Sequence, residues 1–171
     1  MVVRSSRRSY DPGMSVRSGA TKRYLEDVVV GEQLRSSDVQ IDRDAMIRFA
    51  ESFDPQPMHL TEAAGEASMF GRLIASGWYT LSLTMRLMVD AKPFGQTPLV
   101  GVELKDIRFT SPVVAGMIVH AESTVTDVRA STSRPDRGYV SMDVLTMTDQ
   151  NTEVARRRWV VLVPARSTAG S

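Results

Sequence analysis

The sequence predicts an α+β domain in which an antiparallel sheet packs against one long helix. Four stretches rich in β-branched and aromatic residues lie between Val100 and Ala165. The turns between them are rich in Pro, Gly and Asp and are too short for the crossover connections that parallel strands require. One long apolar segment, from Gly77 to Asp90, precedes them. Strands without crossovers and one apolar helix together indicate the α+β class.

The composition predicts a soluble, cytoplasmic protein of one domain. The 171 residues suffice for a substantial core, and 42% of them are hydrophobic, near the average for globular proteins. The 21 basic and 20 acidic residues leave a net charge of +1, too small to attract nucleic acid or an anionic membrane. The absence of cysteine excludes disulfides and a cysteine nucleophile. The chain has no apolar run of about 18 residues, so no membrane span is predicted.

The composition of the two ends sets the boundaries of the predicted domain. Residues 1–22 are rich in Arg, Ser and Gly with little apolar patterning, which predicts a flexible basic tail. The same bias also fits an organelle transit peptide or a phosphate-binding arm, and Met14 is an alternative start. We expect a single domain over residues 23–165 and a carboxyl-terminal tail over residues 166–171.

The first regular segments lead into a helix that two prolines end. The alternation of SSDVQI, residues 36–41, predicts a half-buried strand. Asp42 is placed to cap the helix, because apolar residues recur beyond it at helical spacing: Met46, Phe49, Ala50 and Phe53. Pro55 and Pro57 end the helix, since neither has a backbone N–H to donate.

Two further helices are predicted before the strands. Thr61 is placed to cap a short helix, which Gly65 weakens. The segment from Gly77 to Asp90 is apolar on most of its circumference, which is typical of a helix enclosed by other structure. Its large apolar side chains are therefore expected in the core: Leu81, Met85, Leu87 and Met88.

The stretch FDPQPMHL places Asp54 and His59 five positions apart, with two prolines between them. A carboxylate and an imidazole held this close can share one water. The carboxylate accepts its proton, and the imidazole orients the water or returns a proton to carbon. A structural interpretation also fits, in which Asp54 caps a turn and His59 bonds to a backbone group. The spacing alone leaves both interpretations open.

Ser76 and Gly77 stand at the predicted start of the long helix. The first N–H groups of a helix have no partner within it and lie at the positive end of its dipole, so they can bind an anionic oxygen. Gly77 has no side chain to keep a carbonyl away. The alternative is an ordinary Ser cap and a packing glycine. An acid/base pair and an oxyanion hole together are what the addition of water to a conjugated double bond needs.

Three stretches, AESFDPQPMHLTEAA, FGRLIASGW and IRFTSPVVAG, resemble the MaoC-like family of (R)-specific enoyl-CoA hydratases and dehydratases. The resemblance extends from about Tyr24 to Pro164. It implies the hotdog fold, a curved antiparallel sheet wrapped around a central helix, and a homodimer or a dimer of dimers. It also implies that Asp54 and His59 act on the water and that the Gly77 N–H binds the thioester carbonyl.

The resemblance further implies an acyl-CoA substrate, bound partly through its coenzyme A moiety, and no cofactor. The implied reaction is the reversible hydration of a 2-enoyl thioester to a 3-hydroxyacyl thioester. We assign Gln56, Ser76 and Trp78 to substrate binding. Gln56 and Ser76 depart from the family, which usually has Asn in this linker and often has His before the glycine. No metal site is expected, because two histidines far apart in sequence offer few ligands.

The remaining histidine and the arginines receive mainly structural interpretations. His120 lies in an alternating strand without a nearby acidic partner in sequence. Arg134 and Arg137 belong to a hairpin turn, with contact to the coenzyme A phosphates as the alternative. The run Arg156–Arg158 alternates within a strand, so at least one arginine faces the opposite side from its neighbours. Such a run is a poor nucleic-acid patch.

Two other functions stay open. The first is a hotdog thioesterase, a class that often carries a carboxylate within its central helix. The segment GWYTLSLTMRLMV has none before Asp90. The second is a non-catalytic subunit that binds acyl thioesters without turnover. The presence of both Asp54 and His59 argues against it.

Overall fold

A computed structural model describes residues 21–166 of the chain. Within these residues the regular elements follow the order β1 (Gln33–Arg35), β2 (Val39–Gln40), α1 (Arg43–Phe53), α2 (Glu62–Glu66), α3 (Gly77–Ala91), β3 (Val100–Phe109), β4 (Ile118–Ala130), β5 (Arg137–Thr148) and β6 (Glu153–Pro164). Almost all of the predicted amino-terminal tail, and most of the carboxyl-terminal one, lies outside the described residues.

The strands form one antiparallel sheet. Its order is β1-β4-β5-β6-β3, and β2 also pairs with β4. The four long strands coincide with the four predicted ones, and hairpin turns join β4 to β5 and β5 to β6. The α+β class and the curved antiparallel sheet around a central helix, the hotdog fold, are confirmed.

The inner face of the sheet carries the core. Along β5 every second residue from Gly138 to Thr148 is buried, which is the period of a strand with one covered face. The main cluster joins this face to α3 and includes Leu87, Met88, Val140, Met142, Val144, Trp159 and Val161. Full burial of one such aliphatic side chain stabilises the fold by roughly 1.5–3 kcal/mol.

The first two turns of α3 cross the sheet along one row of inner-facing residues. Ala155 of β6 pairs with Phe109 on one side and with Thr146 on the other. The Phe109 ring lies against Gly77, and the Thr84 and Thr146 hydroxyl oxygens are 2.7 Å apart. Seven helical residues advance about 10.5 Å, and two strand spacings measure about 9.6 Å, so the two lengths match.

One side of α3 is exposed in the described residues of the single chain. The prediction of a helix enclosed by other structure is therefore wrong for that side. Trp78, Met85 and Val89 are 58%, 37% and 48% exposed. The reason is that the sheet covers only one face of the helix, where Leu81, Leu87 and Met88 are buried as predicted. Met85 therefore does not lie in the core of the single chain.

The edge strand β3 also exposes apolar side chains. Val100, Val102 and Leu104 are each about half exposed (49%, 50% and 49%). The side chain of Phe109, at the end of the same strand, is 51% exposed although its ring contacts Gly77. An edge strand of this kind offers unpaired backbone groups and an apolar surface to a second sheet.

Of the predicted strand over residues 36–41, only Val39–Gln40 (β2) forms a strand, and β1 lies before the predicted range. The structure has two short strands, β1 and β2, with Ser36 between them. Ser36 Oγ accepts a hydrogen bond from the Ala121 N–H over 2.9 Å, while the Ser36 N–H donates to the Ala121 carbonyl. The side chain thus takes the place of a backbone group in the ladder, which breaks the strand.

The caps of the first two helices are as predicted. Asp42 accepts the Ala45 N–H at the start of α1, and Thr61 accepts the Ala64 N–H at the start of α2. Phe53, one of the apolar residues at helical spacing, is 74% exposed, because the turn of α1 that carries it lies beyond the buried Met46 and Ala50.

Gly65 has a packing role that the prediction of a weakened helix overlooked. A Cβ at this position would overlap the backbone of Leu73. Glycine therefore lets α2 approach the segment that leads into α3, and the cost in helix propensity is secondary.

Candidate active site

The end of α1 and the following prolines bring Asp54 and His59 together. The Asp54 N–H closes the last turn of α1 on the Ala50 carbonyl, and Pro55 stops the helix there. A 3-10 turn over Pro57–His59 then turns the chain back. The Asp54 Oδ2 and His59 Nε2 atoms lie 3.5 Å apart.

A backbone carbonyl fixes the orientation and the tautomer of His59. The ring is buried, and its Nδ1 lies 2.9 Å from the Ile74 carbonyl oxygen. Because a carbonyl can only accept, Nδ1 carries the hydrogen and Nε2 is the acceptor in the neutral ring. The backbone bond of the structural interpretation is thus present, and it turns Nε2 toward Asp54.

Two side chains donate hydrogen bonds to the Asp54 carboxylate. The Ser76 hydroxyl donates to Oδ2 over 2.6 Å, and the Gln56 amide donates to Oδ1 over 2.7 Å. The Ser76 bond most of all, then the Gln56 bond, lowers the pKa of Asp54; partial burial opposes this, and the nearby His59 adds a smaller lowering. Asp54 is therefore an anion at neutral pH.

Ser76 links this carboxylate to the start of α3. It is fully buried, and its Oγ accepts the Trp78 N–H over 3.1 Å as the cap of the helix. The Gly77 N–H, the first of the helix, makes no hydrogen bond to another residue in the described part of the chain. One free helix donor thus lies one residue from the group that holds Asp54.

Phe109 is a site residue that the sequence reasoning missed. A Cβ built on Gly77 would lie 2.7 Å from the Phe109 ring, closer than any real side-chain contact. A side chain at position 77 would therefore force the Phe109 ring to shift. The signal was the stretch IRFTSPVVAG, which the resemblance included without assigning a role to its aromatic residue.

The three residues predicted to bind substrate lie in different surroundings. Gln56 and Ser76 both contact the Asp54 carboxylate. Trp78 contributes its backbone N–H to the cap, and its ring projects from the exposed side of α3. The structure therefore brings Gln56 and Ser76 to the acid/base pair and leaves the Trp78 ring outside it.

His120 has acidic partners, contrary to the prediction. Its Nε2 lies 3.1 Å from Glu122 Oε1, and its Nδ1 lies 3.6 Å from Asp38 Oδ1. The prediction is wrong because residues two apart in a strand share one face, which puts Glu122 beside His120. Asp38 comes from the turn between β1 and β2, a contact invisible in the sequence.

Arg137 and the run Arg156–Arg158 lie as the structural interpretation predicts. Arg137 pairs with Asp136 in the β4–β5 turn over 2.6 Å. Arg157 is buried while Arg156 and Arg158 are exposed, so the predicted alternation of the run is present.

A shallow cavity of about 350 Å³ lies on the outer face of the sheet, away from Asp54. Its lining includes Val102, Arg129, Tyr139 and Val160. Between residues 21 and 166 no cluster of three or more acidic or histidine side chains is arranged to hold a metal ion. No helix in the same range is long and apolar enough to cross a membrane.

A curved antiparallel sheet around a long helix, with Asp54 and His59 beside the start of that helix, defines a hotdog domain. The profile of the MaoC like domain matches residues 27–147, and the chain belongs to this family.

Solved structures agree with this assignment. The crystal structure of a MaoC-like dehydratase from Rhodospirillum rubrum is similar with a TM-score of 0.78 and 38% identity, over 84% of this chain and 97% of that chain. The (R)-hydratase from A. caviae involved in PHA biosynthesis is similar in fold, with a TM-score of 0.65 and 24% identity over 81% of this chain and 99% of that chain.

A curated relative is the uncharacterized protein YdeM of Bacillus subtilis (strain 168). It is 30% identical over 89 residues, which are 52% of this chain and 63% of YdeM. The chain thus spans less than two thirds of the length of this relative.

Proposed function

We propose that the protein catalyses the reversible hydration of 2-enoyl thioesters, with coenzyme A as the carrier, to 3-hydroxyacyl thioesters. The observation that carries this proposal is the convergence of Asp54, His59 and the Gly77 N–H at the start of α3. The 3.5 Å between Asp54 Oδ2 and His59 Nε2, together with the Ser76 link to the helix, supports a shared catalytic role.

The protonation of the pair suits it to hold a water. The Asp54 carboxylate is ionised, and in the neutral form of the His59 ring, Nε2 carries a lone pair, so in that form both groups accept hydrogen bonds. A water between them donates one hydrogen to each and keeps a lone pair for attack on the β-carbon. As the new C–O bond forms, the pair removes a proton from the water.

The Gly77 N–H supplies the electrostatic part of the reaction. Addition at the β-carbon moves negative charge onto the thioester oxygen, and a helix N–H that already points there stabilises this charge. The pair then returns a proton to the α-carbon, which completes the 3-hydroxyacyl thioester. Dehydration follows the same steps in reverse.

The thioesterase alternative finds less support. The first acidic residue of α3 is Asp90, near the carboxyl end of the helix and roughly 20 Å from Gly77 at the rise of an α-helix. Its carboxylate is exposed and pairs with Arg86 over 2.7 Å. A carboxylate in that place is remote from the proposed thioester site.

We also infer that two copies of the chain associate. Both the edge strand β3 and the open side of α3 carry exposed apolar side chains, among them Leu104 and Met85. An apolar edge strand is a site for sheet extension by another copy. Such a dimer would cover the open side of α3 and complete the walls of the acyl site.

The test is the hydration of crotonyl-CoA and longer enoyl-CoAs, followed by loss of the absorbance of the conjugated thioester. Asp54→Asn removes the charge but preserves the shape of the side chain. It should lower kcat by about 10²- to 10⁴-fold with an unchanged fold. The matched control is Glu51→Gln, an exposed carboxylate on the last turn of α1, which should retain full activity.

Equal turnover by wild type and Asp54→Asn would contradict the proposal. Release of free thiol from saturated acyl-CoAs would favour the thioesterase. Tight binding of enoyl-CoAs without turnover would favour the non-catalytic subunit.

A further inference from the structure

The inner face of the sheet holds a buried cation that the proposed reaction does not use. Arg157 is only 5% exposed. Its Nη1 has no hydrogen-bond partner, and its guanidinium makes no ion pair with any residue between 21 and 166. The contact of the guanidinium in this range is with the Trp159 ring, whose centroid is 5.9 Å from Cζ.

The neighbouring charges do not compensate Arg157. Asp143 pairs with Arg158 on the outer face, over 3.1 Å. Asp106, in the β3 bulge opposite Arg157, has a 72% exposed side chain and also lies toward Arg158. Burial lowers the pKa of Arg157 to about 10, so the guanidinium is still charged at neutral pH. A buried charge without a counter-ion is strongly unfavourable, which points to a missing anion.

The position of Arg157 relates it to the active site. It pairs with Val144 and lies two residues along β6 from Ala155, on the same inner face. Two strand residues span about 6.7 Å. Ala155 pairs with Phe109, whose ring contacts Gly77. The backbone of Arg157 therefore lies on the order of 10 Å from that of Phe109, on the same inner face of the sheet.

We propose that Arg157 binds a carboxylate at the far end of the acyl chain, so that the preferred substrate is the 2-enoyl thioester of a short dicarboxylic acid. This inference rests on the proposed hydration at Asp54 and His59. The thioester carbonyl lies at the Gly77 N–H, and the chain extends along the inner face toward β6. A guanidinium can hold the terminal carboxylate with two parallel hydrogen bonds.

The experiment compares matched pairs of thioesters that differ in a terminal carboxylate. Glutaconyl-CoA is compared with 2-pentenoyl-CoA, and 2-hexenedioyl-CoA with 2-hexenoyl-CoA. Wild type should prefer the dicarboxylic member in kcat/KM. Arg157→Met keeps most of the side-chain volume and removes the charge. It should lower kcat/KM for the dicarboxylic substrates by on the order of 100-fold and leave the monocarboxylic values within a few-fold. Arg156→Met, the exposed neighbour, should change neither.

A binding measurement separates failure of this inference from failure of the proposed function. Calorimetry of glutaryl-CoA and valeryl-CoA, which are saturated, needs no turnover. Tighter binding of glutaryl-CoA, lost in Arg157→Met, would support the carboxylate site even in a protein that hydrates nothing. Equal binding of the two, or hydration of all substrates without a charge preference, would overturn the assignment of Arg157 and leave the hydratase proposal intact.

Thermal unfolding gives an independent check on where the anion comes from. Without ligand, Arg157→Met removes an uncompensated buried charge and should keep or raise Tm. A large fall in Tm, together with dissociation of the dimer, would mean that a carboxylate of a second copy is the partner, and the substrate assignment would be wrong.

Discussion

The Ser76 hydroxyl donates a 2.6 Å hydrogen bond to Asp54 Oδ2 and at the same time accepts the Trp78 N–H at the start of α3. One buried side chain thus lowers the pKa of the proposed catalytic carboxylate and caps the helix that carries the proposed oxyanion donor. The two halves of the site are separated by 22 residues of sequence and joined by one oxygen atom.

Ser76→Ala should change the pH dependence of hydration. The Ser76 bond is the largest cause of the lowered pKa of Asp54, so its loss should raise that pKa and move the acidic limb of the kcat/KM profile to higher pH. Loss of the cap should also reduce the free energy of unfolding by about 1 kcal/mol.

The control for Ser76→Ala is Thr61→Ala, which removes the cap of α2. It should cost similar stability without moving the pH profile. An unchanged acidic limb in Ser76→Ala would contradict the role of Ser76 in holding Asp54. The linkage has a definite sign: a carboxyl whose pKa is lowered by folding adds stability above its unfolded pKa of about 3.9, and this stability is lost as pH falls through the folded value.

Gln56→Ala should have a smaller effect of the same kind. The Gln56 amide is exposed and is the second cause of the lowered pKa of Asp54. We expect an upward shift of the acidic limb that is smaller than in Ser76→Ala, with KM almost unchanged. A rise in KM without any shift would instead support the substrate-binding role that the sequence suggested, and steady-state kinetics across pH distinguishes the two.

Gly77→Ala should damage the site in two separable ways. The new methyl group would lie 2.7 Å from the Phe109 ring, and such overpacking typically costs about 1–3 kcal/mol of unfolding free energy. Phe109→Ala in the same chain should relieve that cost, as urea denaturation would measure. Hydration should stay low in the double variant, because the methyl group still blocks the approach of the carbonyl. Recovery of full activity would mean that packing alone requires the glycine.

Leu104→Asp should weaken the proposed dimer. A charge on the exposed apolar edge of β3 opposes burial against a second copy. Light scattering after gel filtration should show a lower mass for this variant than for wild type. Val29→Asp places the same charge on an exposed apolar residue outside β3 and should leave the mass unchanged. A wild-type monomer would remove the basis for this interface.

Features coded by local pattern were predictable. The caps at Asp42 and Thr61 depend on a polar side chain three residues before the backbone N–H whose hydrogen bond it accepts, and the long strands follow from alternation. The broken strand at Ser36 was not predictable, since its cause is a bond to Ala121, 85 residues away. The exposed side of α3 was missed for a different reason. An apolar composition predicts that a helix is covered, but it does not distinguish cover by the same chain from cover by a second copy.

For the candidate site, the proposed reactive groups could be predicted from the sequence, but the residues that hold them in place could not. Asp54 and His59 are close in sequence, so their proximity was foreseeable. The bonds from Ser76 to Asp54 and from His59 to Ile74 span 22 and 15 residues and depend on how α3 meets the end of α1. The same limit hid Phe109, which reaches Gly77 only because β3 lies beneath the start of α3.

The hydrogen bond between the Thr84 and Thr146 hydroxyls fixes the position of α3 along its axis relative to the sheet. Thr84 donates to the Thr80 carbonyl, so Thr146 must be the donor in the 2.7 Å bond between the two side chains. Apolar contacts tolerate sliding, but a slip of α3 by one turn, about 5.4 Å, would leave the Thr146 hydroxyl without its acceptor in an apolar layer. Gly77 lies seven residues before Thr84 in the same helix, so the position of Thr84 also fixes the position of Gly77. A polar pair remote from the proposed reaction thereby helps to place the Gly77 N–H relative to Asp54 and His59.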